Sequence, residues 1–359
     1  MLDEARSTSP GTSATTPLLA RWRRFAVPLA LLAAGVLLPP FLSTYNLTIL
    51  TQVLIFGVFA MSLDLLVGYT GMISLGHAAF FGLGAYAAGY VAVHWTPNAL
   101  ATILAALVAA GLGALVIGYL SIRARGVYFL MITLAFAQMI YSLAIKLESI
   151  TGGSDGLAGI PRPTLGFDSG LLWQGLPFYY YVLAGFVIVS VLLTRLVHSP
   201  FGRVLIGIRE NEARMRAIGY DTQRLKLVAF VIAGIFAGYA GALFSAYQGI
   251  AAPGDIYWGT SGNVLIMVIM GGAGTLSGPV LGAATFLLLQ HLVSSATERW
   301  QLIAGAVFIF FVLALRGGLI SLFRSKSEGG WRPWEAIGAP LKQSRSQDNP
   351  SARIGEGRE

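Results

Sequence analysis

Side chains that could carry acid–base, nucleophilic or metal chemistry are scarce in the apolar parts of this chain. Asp64 is the only formal charge in residues 25–122, and Asp255 is the only one in residues 227–297. Acid–base work by carboxylates needs a positioned pair, and neither stretch contains a second carboxylate. The sequence has no cysteine and no His-Glu-x-x-His motif, which excludes a thiolate metal site and the common helical zinc site. These residues do not predict an enzyme.

A glycine-rich segment, Met-Gly-Gly-Ala-Gly-Thr-Leu-Ser-Gly-Pro at 270–279, raises the question of phosphate binding. A Walker A loop needs Gly-x4-Gly-Lys-Ser/Thr, and this segment has no lysine. A dinucleotide loop follows a strand, whereas this segment follows an apolar membrane stretch. It therefore predicts a tight turn between two spans, and no cofactor or metal site is expected in this chain.

A second segment rich in small residues, 68–86, contains several Gly residues and one His. Glycine lets helices approach closely, and irregular backbone at membrane depth persists only where it is buried or lines a water-filled cavity. Two interpretations stay open: a broken element beside a substrate path, and a turn followed by a packing face. His77 either touches substrate or bonds to a backbone carbonyl. The candidate residues are Gly68, Gly71, Ser74, Gly76, His77 and Gly82.

A long connection, 148–177, contains the sequence Thr-Gly-Gly-Ser-Asp-Gly-Leu-Ala-Gly-Ile-Pro at 151–161. Long loops are often functional, and Gly, Ser and Asp also suit tight turns. The loop is a dock for an extracytoplasmic partner, a lining of an outer entrance, or a capped surface loop. Its candidate residues are Gly152, Gly153, Ser154, Asp155 and Gly156.

The segment 199–225 has a helical pattern but is not apolar enough to span a membrane. Gly219 stands where a C-terminal cap belongs. The predicted apolar side of this helix consists of Val204, Ile208, Met215 and Ile218. Two i,i+4 ion pairs in the favoured order are predicted, Glu210–Arg214 and Glu212–Arg216. The helix either rests on lipid or docks on a cytoplasmic partner.

The elements that must position these residues are membrane helices. Hydrophobic residues make up 55% of the 359 residues and charged residues 11%, against roughly 25% charged in soluble proteins. The chain predicts an all-α polytopic membrane protein with about ten transmembrane helices, or eight if segments near 75–94 or 256–296 are re-entrant. The predicted spans are 25–42, 47–67, 75–94, 99–122, 127–147, 178–197, 226–247, 256–272, 279–296 and 300–316. For the first, a cleaved signal peptide is the alternative.

Basic residues predict the orientation, because cytoplasmic loops are enriched in Lys and Arg. With the N-terminus inside, ten spans place every Lys and Arg on or beside the inner side except Lys146, Arg162 and Arg299. Both termini are then cytoplasmic. The excess of 24 Lys and Arg over 16 Asp and Glu indicates insertion topology and contact with membrane lipid, and it does not predict nucleic-acid binding.

Four motifs in order resemble the LivM-type permease of branched-chain amino acid ABC importers. They are Gly-Tyr-Thr-Gly-x-x-Ser-Leu-Gly-His-Ala-Ala-Phe-Phe-Gly at 68–82, Thr-Gly-Gly-Ser-Asp-Gly-Leu-x-Gly-Ile-Pro at 151–161, Phe-Gly-Arg…Ile-Arg-Glu-Asn-Glu…Ala-x-Gly-Tyr-Asp at 201–221 and Gly-Gly-Ala-Gly-Thr-Leu-Ser-Gly-Pro at 271–279. The resemblance runs from about 45 to 320. It implies the ABC-importer permease fold in a bacterial plasma (inner) membrane.

The resemblance also implies partner proteins with separate roles in transport. A second related permease subunit completes a heterodimer, two cytoplasmic ABC ATPase subunits hold ATP and Mg, and an extracytoplasmic binding protein delivers substrate. The segment 209–221 resembles the short inner helix that contacts the ATPase, although Arg214 replaces the second Ala of the general pattern. Its candidate coupling residues are Arg209, Glu210, Asn211, Glu212, Ala213, Ala217 and Gly219.

The predicted organisation is a disordered cytoplasmic tail at 1–24, a permease domain at 25–320 with an inner coupling segment at 199–225, and a second disordered tail at 321–359. The predicted function is import of Leu, Ile or Val by a non-enzymatic subunit. Two alternatives stay open: the same machine importing urea, another amino acid or a small carboxylate, and a stand-alone secondary transporter or channel.

Overall fold

The computed structural model describes residue 33 and residues 35–164, 175–295, 299–314 and 318–323. The predicted tail 1–24, nearly all of the predicted tail 321–359 and half of the predicted span 25–42 lie outside the described residues.

Within the described residues, the chain is almost entirely helical. The helices are α1 Thr44–Asp64, α2 His77–His94, α3 Ala99–Ser121, α4 Val127–Lys146, α5 Glu148–Thr151, α6 Gly175–His198, α7 Pro200–Ala217, α8 Thr222–Gln248, α9 Trp258–Gly271, α10 Ser277–Ser294, α11 Trp300–Ala314 and α12 Ile320–Phe323. A π-helical turn, Leu65–Thr70, continues α1. Short 3-10 turns occupy Pro39–Phe41, Gly153–Asp155 and Pro253–Asp255. Strands β1 (Leu157–Ala158) and β2 (Ile250–Ala251) pair antiparallel.

Side-chain oxygens begin several of these helices by accepting a free backbone N–H of the first turn. Ser43 accepts from Asn46 N at the start of α1, and Asn98 accepts from Leu100 N at the start of α3. Asp221 accepts from Arg224 N at the start of α8. Ser, Asn and Asp are favoured N-caps for this reason, so the polar residues between apolar runs mark where the helices start.

Six described helical stretches are long and apolar enough to cross a membrane. They are Thr44–Thr70, Ala99–Ser121, Val127–Lys146, Gly175–His198, Thr222–Gln248 and Ser277–Ser294. They support an all-α polytopic membrane protein. Helices also lie at the other predicted spans from 75–94 onward, but α9 has only 14 residues, short of the roughly 20 that a straight crossing needs. The count of ten is therefore not established.

Small residues bring the central helices α2, α3 and α8 into close contact. Gly234 and Gly238 of α8 lie against the methyl groups of Ala114 and Ala110 of α3. A Cβ added to Gly84 of α2 would overlap the carbonyl oxygen of Gly238. Lipid tails are as apolar as the side chains, so close van der Waals packing holds membrane helices together. The sequence has small residues at every fourth position of the predicted seventh span, Gly234, Gly238, Ala242 and Ala246, and this spacing predicts a face for close helix packing. The contacts of Gly234 and Gly238 confirm that prediction.

The connection from α8 to α9 packs against the first turns of α2. A Cβ added to Gly82 would overlap the side chain of Ile256, and Ala78 N donates to Ser261 Oγ at 2.8 Å. The helix α9 begins directly after this connection and has 14 residues, within the predicted span 256–272.

Candidate functional site

The segment predicted to couple to a partner is not one straight helix. Asn211 has extended backbone angles, φ −157° and ψ 94°, inside α7. Its Oδ1 accepts a hydrogen bond from Arg214 N at 2.9 Å, so Asn211 caps the short helical piece that follows it. The break changes the helical register, which leaves Ile218 65% exposed while Ile208 is buried. The predicted apolar face is therefore wrong at Ile218, whereas Met215 is half-buried beside Gly207.

The break at Asn211 determines which of the two predicted ion pairs forms. Glu212 and Arg216 lie on one side of the break and pair, with 2.6 Å between Oε1 and Nη2. Glu210 and Arg214 lie on opposite sides of it, and no ion pair joins them in the described part of the chain. An i,i+4 pair needs continuous helix between its members, so the second prediction fails for a local reason.

Gly219 ends α7 in the predicted manner. Its φ is +101°, a left-handed conformation that glycine adopts without strain. Gly219 N donates to Arg216 O at 2.9 Å, and Tyr220 N donates to Met215 O at 3.1 Å. This is the Schellman pattern, which satisfies the last carbonyls of a helix.

Glu212 ties the end of α7 to the start of α8. We name Glu212, Arg216, Thr222 and Lys226 the Glu212 cluster. Lys226 Nζ lies 2.8 Å from Glu212 Oε2, and Thr222 Oγ1 donates to Glu212 Oε1 at 3.1 Å. Burial raises the pKa of Glu212, but the hydrogen bonds and charge of Lys226, with Thr222 and Arg216, outweigh it and hold the pKa below its ordinary value. The carboxylate therefore stays ionised.

Arg209 ties the first part of α7 to the end of α1. Its guanidinium donates to the carbonyl of Gly68 in the π-helical turn. Burial lowers the pKa of Arg209, and the charges of Asp64 and Glu210 act against that shift. π-Helical turns often occur at functional sites, because they free backbone groups from the regular helical ladder. Here the freed carbonyl is held by a side chain from another helix.

Asp64 joins this contact to the loop between α9 and α10. Its side chain is fully buried. Oδ1 accepts from Gly274 N at 2.7 Å, and Oδ2 accepts from Leu276 N at 3.2 Å. Leu276 has a φ of +52°, which is strained for a side-chain-bearing residue. We name the five residues of this contact the α7 junction: Asp64, Gly68, Arg209, Gly274 and Leu276.

The glycine-rich segment 270–279 is the turn between two helices that the sequence predicts. Gly272 and Gly274 have φ values of +115° and +82°. The backbone N–H groups of this turn bind the Asp64 carboxylate, as backbone nests bind anions. Asp64 was not among the predicted site residues. A lone buried carboxylate and a glycine-rich turn, both predicted at the same end of the bundle, were the signal that could have joined them.

Five of the six candidate path or packing residues are buried in close-packed positions, and Gly71 is exposed. A Cβ on Gly68 would overlap Asp64 Oδ1 and Gly274 N, and a Cβ on Gly76 would overlap the carbonyl of Thr133. Gly71 has a φ of +73° and lies beside Arg209. Ser74 is buried, and its Oγ accepts from Gly76 N at 3.3 Å. In this conformation these residues, with Gly82 under Ile256, pack the bundle, and a role in a path stays a prediction.

His77 is buried at the first turn of α2. Its Nε2 lies 2.9 Å from Ser62 Oγ, and its ring stacks on Phe59 with 5.5 Å between centroids. The predicted hydrogen bond between His77 and a backbone carbonyl is therefore wrong, because His77 bonds to the Ser62 hydroxyl of α1 instead. No group of three or more His, Cys, Asp or Glu residues suited to a metal ion is found among the described residues.

The described part of the outer loop is built from left-handed glycines. Gly152, Gly153 and Gly156 have φ values of +76°, +63° and +76°. Gly156 packs against the backbone of Ala251, next to the β1–β2 pair. Ser154 Oγ donates to Asp155 Oδ1 at 3.2 Å, and both residues are exposed. The described part of the loop is tightly turned and has an exposed polar tip.

Comparison with known proteins gives one family. Residues 45–312 match the family described as the permease component of the branched-chain amino acid transport system. The high-affinity branched-chain amino acid transport system permease protein LivM of Escherichia coli is 31% identical and covers 82% of this chain and 74% of its own. The Salmonella typhimurium protein of the same name is also 31% identical, over 82% and 75%.

A more distant relative comes from an archaeon. The probable branched-chain amino acid transport permease protein LivM of Methanocaldococcus jannaschii is 28% identical, over 67% of this chain and 70% of its own. No solved structure is a significant match to the chain.

Proposed function

The chain belongs to the family of permease components of branched-chain amino acid transport systems, and we propose that it is the membrane-spanning subunit of an ATP-driven importer of Leu, Ile and Val. Its relatives carry that substrate class in their names. The proposed partners are a second related permease subunit, two cytoplasmic ATPase subunits and an extracytoplasmic binding protein. The proposed location is a bacterial inner membrane.

The observation that carries the coupling mechanism is the double attachment of α7. Arg209 binds the turn that ends α1, and Glu212 binds the first turn of α8. A force applied to α7 therefore reaches two long helices of the bundle at once. Asp64 extends the first route to the α9–α10 loop. ATPase subunits that move α7 on binding ATP would shift these helices together, which is what opening and closing a path requires.

The surface that the ATPase would contact is the exposed end of α7. Glu210, Asn211, Ala213, Ala217 and Gly219 are exposed, whereas Arg209 and Glu212 are turned toward the bundle. We propose that the exposed residues contact the ATPase and that Arg209 and Glu212 transmit its movement to the membrane helices. Nothing lies within 4 Å of a Cβ added at Gly219, which leaves that end of α7 open to a partner.

We extend the proposal to topology. Ten spans with both termini in the cytoplasm place the α7 junction and the Glu212 cluster on the inner side, in agreement with the basic residues there. The outer loop residues Gly152, Gly153, Ser154, Asp155 and Gly156 then face the binding protein. Gly68, Gly71, Ser74, Gly76, His77 and Gly82 line the region where a path would open, once the packed contacts separate.

The experiment is reconstitution of the complete transporter in vesicles. Uptake of radiolabelled leucine is measured with the binding protein outside and ATP inside, against a complex whose ATPase lacks its Walker lysine. Uptake that needs the lysine supports the proposal, and uptake without any ATPase subunit would instead indicate a secondary transporter. Calorimetry of the binding protein with leucine, urea and small carboxylates decides the substrate.

A further inference from the structure

A cavity of about 410 Å³ lies between the start of α4, the segment after α1 and the side of α7. Its walls include the buried apolar side chains of Met72, Ile122 and Phe129. Ile73 and Val127, also in its lining, are 46% and 65% exposed, so the cavity reaches the surface. Its volume lies within the range of ligand pockets in proteins.

The charged residues that line the cavity are three cations and one carboxylate: Arg125, Arg209, Lys226 and Glu212. The Glu212 carboxylate is already bound by Lys226 and the rest of the Glu212 cluster. Arg125 reaches it only through a 3.9 Å contact of Nε, and its side chain is 65% exposed. No described residue accepts a hydrogen bond from Arg125. Arg209 already donates to the carbonyl of Gly68, so the guanidinium of Arg125 supplies the positive charge and the hydrogen-bond donors suited to an anion.

An exposed apolar strip on α4 starts at the mouth of the cavity. Val127, Tyr128 and Met131 are 65%, 76% and 61% exposed. In the proposed topology this strip faces acyl chains, and the cavity lies at the level of the inner headgroups. A ligand that fits both surfaces has an anionic end and an apolar tail.

We infer that the cavity binds the headgroup of an anionic phospholipid of the inner leaflet, with its phosphate on Arg125 and an acyl chain along Val127 and Met131. Arginine pairs with phosphate through two parallel hydrogen bonds, and basic pockets between membrane helices on the cytoplasmic side suit anionic headgroups. Because Arg209 and Glu212 also line the cavity, the bound lipid stabilises the position of α7. The inference rests on the proposed function for its orientation.

The test is native mass spectrometry of the complete transporter released from bilayers of phosphatidylglycerol and phosphatidylcholine. Wild type, Arg125→Gln and Arg123→Gln are compared without substrate or ATP. Arg123 is the matched control, because its guanidinium lies 5.1 Å from the Tyr119 ring centroid, donates to Tyr119 Oη and does not line the cavity. Arg125→Gln should retain phosphatidylglycerol about fivefold less well, the factor for roughly 1 kcal/mol per basic residue near an anionic surface.

Arg123→Gln should retain the lipid like wild type, and Arg125→Lys should recover most of the loss. Equal loss of lipid in Arg125→Gln and Arg123→Gln overturns the inference, because any basic residue near the membrane surface would then attract the lipid. Loss in neither variant also overturns it, because Arg125 would then not hold the headgroup. Displacement of the lipid by added leucine or inorganic phosphate also overturns it and makes the cavity a site for that solute. Since transport plays no part in the measurement, failure of the proposed function would leave this result unaffected.

Discussion

The carboxylate of Asp64 accepts a hydrogen bond from the backbone N–H of Gly274 at 2.7 Å, across 210 positions of sequence. The acceptor is fully buried at the end of α1, and the donor lies in the turn between α9 and α10. Arg209 of α7 donates a hydrogen bond to the carbonyl of Gly68, which belongs to the same α7 junction. Three segments distant in sequence are thus held by one carboxylate and one guanidinium. A substitution of Asp64 or Arg209 should therefore affect the position of α7.

Asp64→Asn removes one of the two carboxylate acceptors and places an amide NH2 against a backbone N–H. An unsatisfied buried donor costs about 1–3 kcal/mol, so the purified chain should unfold at a lower temperature and uptake should fall several-fold. Thermal unfolding in detergent and leucine uptake by the reconstituted transporter measure the two effects.

Asp221→Asn is the matched control for that change. Asp221 caps α8 by accepting from Arg224 N, and Asn caps a helix about as well as Asp. The control should keep wild-type stability and uptake. If the two variants behave alike, the buried contacts of Asp64 do not matter to the fold or to transport.

Gly68→Ala should damage the α7 junction by sterics alone. Its Cβ would overlap Asp64 Oδ1 and Gly274 N, which are fixed by their own hydrogen bond. Overpacking of this kind costs typically about 1–3 kcal/mol. Gly262→Ala is the comparison, because nothing lies within 4 Å of the added Cβ in α9. Yield and thermal stability should fall for Gly68→Ala only, and equal behaviour would mean that the overlap is relieved at no cost.

The motif at 68–82 and the turn at 271–279 were both predicted from the sequence, but their contact was not. Helix type, apolar length and the small-residue face of α8 follow from local composition, so they could be predicted. The Asp64–Gly274 bond depends on how α1 packs beside the α9–α10 turn, which no local pattern contains.

The break at Asn211 was missed for a related reason. Residues 203–217 have the spacing of a continuous amphipathic helix, and Asn is only a weak helix breaker. Tertiary contacts decide the outcome, because Arg209 is held at the α7 junction and Glu212 at the start of α8. These two contacts lie on either side of Asn211.

Glu212→Gln should destabilise the chain, because it leaves Lys226, whose side chain is 12% exposed, without its counter-charge. The double variant with Lys226→Gln should recover part of the loss. Arg224→Gln breaks an exposed pair with Asp221, and exposed pairs are worth little, so it should be nearly neutral. Thermal unfolding of wild type, Glu212→Gln, Lys226→Gln and the double variant gives the coupling energy, and simple additivity would contradict a coupled cluster.

The stability difference between wild type and Glu212→Gln should change with pH in a definite direction. The pKa of Glu212 lies below its ordinary value of 4.5, because Lys226 and its neighbours outweigh the burial that would raise it. Its stabilisation is therefore present above pH 4.5 and is lost as the pH falls through the lower folded pKa. The stability difference between wild type and Glu212→Gln should shrink below pH 4.5. A difference that grows on acidification would contradict this sign.

The proposed orientation can be tested because the chain has no cysteine. Ser154 and Arg214 are both exposed and lie at opposite ends of the proposed bundle. A single cysteine at Ser154 should react with an impermeant maleimide in intact cells, and one at Arg214 should react only after permeabilisation. Labelling of both in intact cells would exclude the orientation.

Ala217→Trp tests whether the end of α7 docks on an ATPase or rests on lipid. Ala217 is exposed and is the last residue of the helix that Gly219 terminates. If a partner packs closely there, the larger ring costs about 1–3 kcal/mol, and uptake and substrate-stimulated ATPase should fall together in the reconstituted transporter. Ala217→Ser keeps the small size and should leave both at wild-type levels.

Gly219→Val provides an independent approach to the same surface. Open space surrounds the added side chain, so its effect comes from the φ of +101°, which a β-branched residue resists. The Schellman cap should open and displace the end of α7, which again lowers uptake and stimulated ATPase while the chain still inserts. On a lipid surface, Trp at 217 would instead strengthen the interfacial contact. Wild-type coupling in both variants, with assembly checked by co-purification of the ATPase, would remove the docking role from this end of α7.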